Sequence, residues 1–139
     1  MSDIITIGVI GLGNAGTPIL NNLFKAKKYN LVAFDVDKNK LNNVPKDVIK
    51  AVSIKDLAEK CKVVLTCLPK PEHVLNAVDG ENGLLQNASS GMIWIDTSTT
   101  DFKQTQKLAA KAKTYGVSML EATLTGGVHA LQNNNMVCL

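Results

Sequence analysis

Apolar residues run almost without a break over residues 4–10, where only Thr6 and Gly8 interrupt Ile4, Ile5, Ile7, Val9 and Ile10. Such a run predicts a strand buried on both faces of a parallel sheet. Over residues 14–28 the period changes. Ile19, Leu20, Leu23 and Phe24 recur at helical spacing. Pro18 falls in the first turns, where a missing N–H is tolerated, and Lys25, Lys27 and Lys28 suit the C-terminal end of a helix dipole. Strand-like runs return at residues 31–34, 48–52, 63–66, 92–95 and 117–121. Helical stretches lie between them. A short one at 37–43 is stopped by Pro45. Another, ending near Lys60, is opened by Ser53-Ile54-Lys55-Asp56, which has the spacing of a capping box. A third covers 71–78, a helical or turn segment covers 82–88, and a longer helix over 101–115 ends at Gly116, a residue suited to the position after a helix. Thr123-Leu124-Thr125-Gly126-Gly127 reads as a turn, and residues 136–139 as a last apolar scrap.

Strand and helix alternate without repeats. That predicts one α/β domain over residues 1–139, built on a doubly wound, mainly parallel sheet with right-handed crossovers. Ligands of such sheets gather beyond the carboxyl ends of the strands. The polar and glycine-rich residues collect at those ends: residues 11–16, Asp35, residues 67–71, 96–100 and 123–127.

The first of these is Gly11-Leu12-Gly13-Asn14-Ala15-Gly16, a G-x-G-x-x-G turn between a strand and a helix. Asp35 closes the next apolar run 19 positions after Gly16. Strand, glycine turn, helix and a spaced acidic residue together form the Rossmann fingerprint for a dinucleotide. Gly11 allows the tight turn, Gly13 lets the backbone approach a pyrophosphate, and Gly16 allows close helix packing. The helix N-terminus favours the diphosphate, and Asp35 is suited to accept hydrogen bonds from the adenosine ribose. A carboxylate at that place repels a 2′-phosphate, and the nearby basic residues are Lys38 and Lys40, with no arginine. The expected cofactor is therefore NAD rather than NADP. A charge pair at a helix N-terminus is the other reading of Asp35 and Asp37, and it suits Asp37 better.

Composition narrows the remaining classes. The chain is 45% hydrophobic and 19% charged, with a net charge of +3, an ordinary balance for one globular core. Aromatics make up 4% and the lysines are scattered, so nucleic acid is not an expected partner. No apolar stretch reaches membrane-spanning length. Cys61, Cys67 and Cys138 show no C-x-x-C spacing. They read as structural thiols of a reducing compartment, the cytoplasm. No histidine pair or Cys/His cluster has metal-ligand spacing, so no metal is expected. Lys103, Lys107 and Lys111 share one helix face, assigned to solvent. His73 and His129 are read as surface histidines, His129 with slightly more interest because it follows the glycine pair Gly126-Gly127.

The chain resembles the β-hydroxyacid dehydrogenases, which include 3-hydroxyisobutyrate, tartronate semialdehyde and 6-phosphogluconate dehydrogenases. Residues 11–23, GLGNAGTPILNNL, look like the family's amino-terminal signature, with Ala15 where methionine is usual. Leu68-Pro69 looks like its cofactor-facing Leu-Pro loop, and Gly80-Glu81-Asn82-Gly83-Leu84 like the segment after it. Ile95-Asp96-Thr97-Ser98-Thr99 resembles its Asp-x-Ser-Thr element, whose last hydroxyl residue, here Thr99, contacts the nicotinamide half. Glu121-Ala122-Thr123-Leu124-Thr125-Gly126-Gly127 stands where the family has Asp-Ala-Pro-Val-Ser-Gly-Gly. Ala130, Leu131 and Asn134 replace small or glycine residues further on. The resemblance implies that Thr125, Gly126 and Gly127 hold the substrate carboxylate. It also implies hydride transfer between a small 3-hydroxy acid and the cofactor. The family's acid/base lysine and all-helical domain belong beyond Leu139, so the 139-residue chain is expected to bind cofactor without turnover and to self-associate over its bare face. A stand-alone nucleotide-binding module is the rival expectation.

Overall fold

A computed structural model describes residues 2–135 and the backbone of Val137 and Cys138. The last apolar scrap, from Met136 onward, otherwise lies outside the described residues, as does the Cys138 side chain.

The chain alternates as the pattern predicts: β1 Thr6–Ile10, α1 Gly16–Ala26, β2 Asn30–Phe34, a 3₁₀ turn Lys38–Asn43, β3 Ile49–Lys50, α2 Ile54–Lys60, β4 Val63–Thr66, α3 Pro71–Asp79, α4 Leu84–Asn87, β5 Ile93–Asp96, α5 Phe102–Thr114 and β6 Ser118–Glu121. The six strands form one parallel sheet in the order β3-β2-β1-β4-β5-β6. Chain order reverses between β1 and β4, and the crevice at that switch point opens above their carboxyl ends.

Several boundaries differ from expectation: β3 spans only Ile49–Lys50 of the expected 48–52 and α1 ends at Ala26, and two further differences flank the glycine turn. Ile4 and Ile5 are exposed and lie outside β1, because β2 pairs with β1 only from Asn30 opposite Thr6. The helix begins at Gly16 rather than at Asn14, because residues 11–15 are spent on the glycine turn. The segment read as a turn at 123–127 also has more structure. Leu124–Thr125 forms β7, antiparallel to β8 Val137–Cys138, and Gly127–Gln132 forms α6. Asn134, standing where the family has a small residue, has φ 54°. Asparagine tolerates that left-handed conformation better than most side chains do.

The local signals hold where the structure supplies their partners. Ser53 caps α2 by accepting a hydrogen bond from the Asp56 N–H at 3.0 Å, while the Asp56 carboxylate accepts from Val52 N–H at 3.0 Å. The reciprocal half of the box thus lands one residue early. Ser53→Ala should lower stability by about 1 kcal/mol, read as a shifted urea midpoint with unchanged slope. Asp101 caps α5 through the Gln104 N–H. Lys103, Lys107 and Lys111 are all exposed as assigned, and Lys111 also ion-pairs across the surface with Asp79 at the end of α3.

The core has two layers. One face of the sheet packs under α2, α3, α4 and α5 through Val64, Trp94, Leu57, Val74, Leu85 and Leu108. Gly8 lets α2 lie on β1, for a Cβ there would stand 2.6 Å from Leu57 Cδ2. The opposite face is covered over β1 and β2 by α1 and the 3₁₀ turn, through Val9, Leu20, Leu31 and Leu41. Further across, Leu65, Ile95 and Leu120 lie in register, and cover there is thinner: Ile93 is 43% exposed and Leu120 55%.

Candidate functional site

The glycine turn is built by three strand ends. Gly11 N–H donates to the Phe34 carbonyl at 2.9 Å, and Cys67 N–H donates to the Ile10 carbonyl at 2.9 Å. Gly11 has φ 98°, and a Cβ on it would stand 2.3 Å from the Cys67 carbonyl oxygen. A Cβ on Gly16 would stand 1.8 Å from the carbonyl oxygen of Gly11. Gly16 therefore makes room for the turn itself, and only at 3.6 Å for Cys67 of the neighbouring strand. Gly13 is different: a Cβ on it would meet nothing within 4 Å. The chain's own packing requires Gly11 and Gly16 but makes no use of Gly13.

The turn delivers the chain to α1 with no cap. Ala15 occupies the cap position without a side-chain hydrogen bond, and no acidic residue lies in the first helical turn. A helix N-terminus so placed presents N–H groups and positive potential to an anion. Thr17 steadies the turn by donating from its hydroxyl to the Leu12 carbonyl at 2.8 Å.

Asp35 is buried beside this turn. Its Oδ2 accepts from Leu12 N–H at 2.8 Å and its Oδ1 from Asp37 N–H at 2.8 Å. Lys40 Nζ lies 3.7 Å from Oδ2. The carboxylate thus clamps the glycine turn to the end of β2, a role the spacing alone does not reveal. A carboxylate offers about four lone-pair positions, so acceptor capacity remains toward the cleft. Asp37 caps the 3₁₀ turn through Asn39 N–H at 3.0 Å, the helix-terminal role suggested for it.

Above these elements lies a cleft of about 1260 Å³. That exceeds the range of roughly 300–1,000 Å³ typical of small-molecule pockets and suits a dinucleotide. Gly11, Leu12, Gly13, Asn14, Ala15, Asp35, Leu68 and Pro69 all line it. Gly16 lies beneath the turn, and Thr99, exposed just past β5, is not on the lining. Neither are Thr125, Gly126 and Gly127, although Val128, the next residue, is. Gly126 and Gly127 have φ of 94° and 73° and turn the chain into α6.

Several lining residues carried no functional signal in the sequence. Val36, Ile54 and Ala77 add apolar lining to the cleft, and Asn76 adds a polar side chain. His73 is exposed, as read, and faces this cleft. His129 does not line it, and its Nε2 lies 3.1 Å from Asn133 Nδ2. Cys67 lines the cleft half-buried, and Cys61 is buried under α2; both are free thiols. Burial pushes the Cys61 thiol up to about 12 and also raises that of Cys67. Among the described residues no group of His, Cys, Asp or Glu could hold a metal ion, and no helix is long and apolar enough to cross a membrane.

Sheet order, glycine turn and cleft define a Rossmann-type dinucleotide-binding domain. Residues 6–139 match the family described as the NAD binding domain of 6-phosphogluconate dehydrogenase, and the chain belongs to that family. Among curated relatives it is 37% identical, over 88% of its length, to a probable mitochondrial 3-hydroxyisobutyrate dehydrogenase of Dictyostelium discoideum, of which it covers 38%. It is 33% identical, over 87% of its length, to an NAD-dependent L-serine dehydrogenase of Pseudomonas aeruginosa, of which it covers 41%. A solved Mycobacterium tuberculosis 3-hydroxyisobutyrate dehydrogenase with L-serine superposes with a TM-score of 0.89 at 26% identity, covering 98% of this chain and 46% of that one. The chain thus spans less than half the length of these relatives.

Proposed function

We propose that this domain binds NAD along the cleft, within an oxidoreductase that moves a hydride between a small 3-hydroxy acid and the nicotinamide. The observation that carries the reading is Gly13, a glycine that the fold does not use, at an uncapped helix N-terminus and facing a dinucleotide-sized cleft. The missing Cβ is the space a pyrophosphate needs. Bound nicotinamide would supply the hydride chemistry. The chain's residues would bind and orient it: Leu12 to Ala15 at the pyrophosphate, Asp35 at the adenosine ribose, and Leu68, Pro69 and Thr99 toward the nicotinamide half. The apolar lining that Val36, Ile54 and Ala77 contribute suits the adenine ring.

The substrate class is supported by the relatives' names, and Thr125, Gly126 and Gly127 are the residues proposed to hold its carboxylate. NAD is preferred to NADP because Asp35 would face a 2′-phosphate and the chain contains no arginine. The unpaired Cys61 and Cys67 support a reducing compartment, with the cytoplasm as the proposed setting, although several relatives are named as mitochondrial. The thinly covered side of the sheet around Ile93 and Leu120 supports self-association.

Calorimetric titration of the purified chain tests the central assignment. NAD should bind measurably and at least about tenfold more tightly than NADP, one charge-repulsion step of roughly 1.4 kcal/mol. Tighter NADP binding would reverse the cofactor choice, and binding of neither would refute the reading of the cleft.

A further inference from the structure

Asp96 ends β5 with 1% of its surface exposed. Its Oδ1 accepts from the Thr66 hydroxyl at 2.9 Å and from Ser98 N–H at 3.0 Å. The Thr66 oxygen in turn accepts from Trp94 Nε1 at 2.9 Å. The Ser98 hydroxyl oxygen accepts from Leu68 N–H at 2.9 Å, and Leu68 lines the cleft. A buried relay thus runs from the core tryptophan to the cleft wall, with Asp96 at its centre.

The relay needs only one Asp96 oxygen. Oδ2 is buried and has no hydrogen-bond partner, and no ammonium or imidazole among the described residues ion-pairs with Asp96. An asparagine would supply the same Oδ1 acceptor without burying a charge. Scaffolding therefore accounts for the side chain's length and its first oxygen but not for a carboxylate, and an unsatisfied buried group calls for a reason. The charge is also felt at the cleft. Burial is the main cause that raises the Cys67 thiol, a hydrogen bond with Thr97 opposes it, and the Asp96 charge adds to the rise. Cys67 is part of the cleft wall.

We propose that Asp96 sets the preference of this domain for the oxidised cofactor: its uncompensated carboxylate, linked through Ser98 to Leu68 of the cleft wall, favours the cationic nicotinamide ring over the neutral reduced ring. This rests on the reading that the Leu68-Pro69 side of the cleft takes the nicotinamide half. In a low-dielectric wall the interaction of one buried charge with one ring charge is large enough to move a binding ratio on the order of tenfold.

The test compares dissociation constants of NAD⁺, NADH and ADP-ribose for the wild-type chain and for Asp96→Asn. The variant should weaken NAD⁺ relative to NADH by about tenfold, while ADP-ribose, which lacks the nicotinamide, keeps its affinity. An unchanged NAD⁺-to-NADH ratio overturns the proposal. So does an equal loss for all three ligands, which would make Asp96 a scaffold residue only. If the variant does not fold, the wild type decides: NAD⁺ bound at least as tightly as NADH supports the proposal, and NADH bound more tightly overturns it. A wild type that binds ADP-ribose but neither nicotinamide form, or none of the three, refutes the reading of the cleft and this proposal with it.

Discussion

Gly13→Val is expected to leave the chain folded and to abolish dinucleotide binding. The added Cβ meets no atom within 4 Å, and Gly13 is not among the residues with positive φ. The change in stability should stay within about 0.5 kcal/mol, as for an ordinary surface substitution. Its methyl groups, however, would stand over the uncapped start of α1, where a pyrophosphate has to come close to the backbone. An affinity loss of about 100-fold or more is expected, roughly 2.7 kcal/mol. Gly16→Ala makes the contrast. Its Cβ would stand 1.8 Å from the Gly11 carbonyl oxygen, so the turn must open and stability should fall by about 3 kcal/mol. Urea unfolding and NAD titration of both variants separate the two glycines. Normal NAD affinity in a folded Gly13→Val would place the pyrophosphate elsewhere, and an unfolded Gly13→Val would show that the fold needs this glycine after all.

Asp35→Ala should have two effects, and the structure adds the second. The first is on cofactor choice. Removing the carboxylate deletes the proposed ribose acceptor and frees Lys40, whose Nζ lies 3.7 Å from Asp35 Oδ2, to meet a 2′-phosphate. NAD should weaken more than NADP, with the ratio moving by about tenfold. The second effect is on the fold. Leu12 N–H and Asp37 N–H both lose a charged acceptor at 2.8 Å, and such bonds are each worth about 1.5–3 kcal/mol. Solvent can reach part of this site, so a net loss near 2 kcal/mol is expected. Thermal melts and titration with both cofactors read the two effects. A constant NAD-to-NADP ratio would move the ribose away from Asp35, and an unchanged melting temperature would show that the clamp on the glycine turn contributes nothing.

Much of this protein was legible as local physics. The switch between apolar runs and helical spacing marks every strand of the parallel sheet and each of its larger helices, because alternation and the 3.6-residue period belong to single segments. Ser53, Pro71, Asp101 and Gly116 mark helix ends through their own side chains or backbone freedom. The Gly11-to-Gly16 turn and its distance to Asp35 are legible for the same reason, since turn, helix start and second strand lie within 25 residues.

What the tertiary structure decided depends on residues distant along the chain. The order β3-β2-β1-β4-β5-β6 puts the ends of β1, β2 and β4 around one crevice. Only that assembly shows why Gly11 and Gly16 are needed by the fold and Gly13 is not. Val36, Ile54 and Ala77 come from three separate connections and line one cleft only after the sheet is assembled. Ile4 and Ile5 continue an apolar run yet fall outside β1, since a strand ends where its partner does. Asp96 reads as one polar residue in a motif; its burial, its bond to Thr66 across 30 residues and its unpartnered oxygen exist only between β4 and β5. Periodicity records which face of an element is apolar. It carries no record of which other element will cover that face, and the hydrogen bonds that complete the site are made between elements.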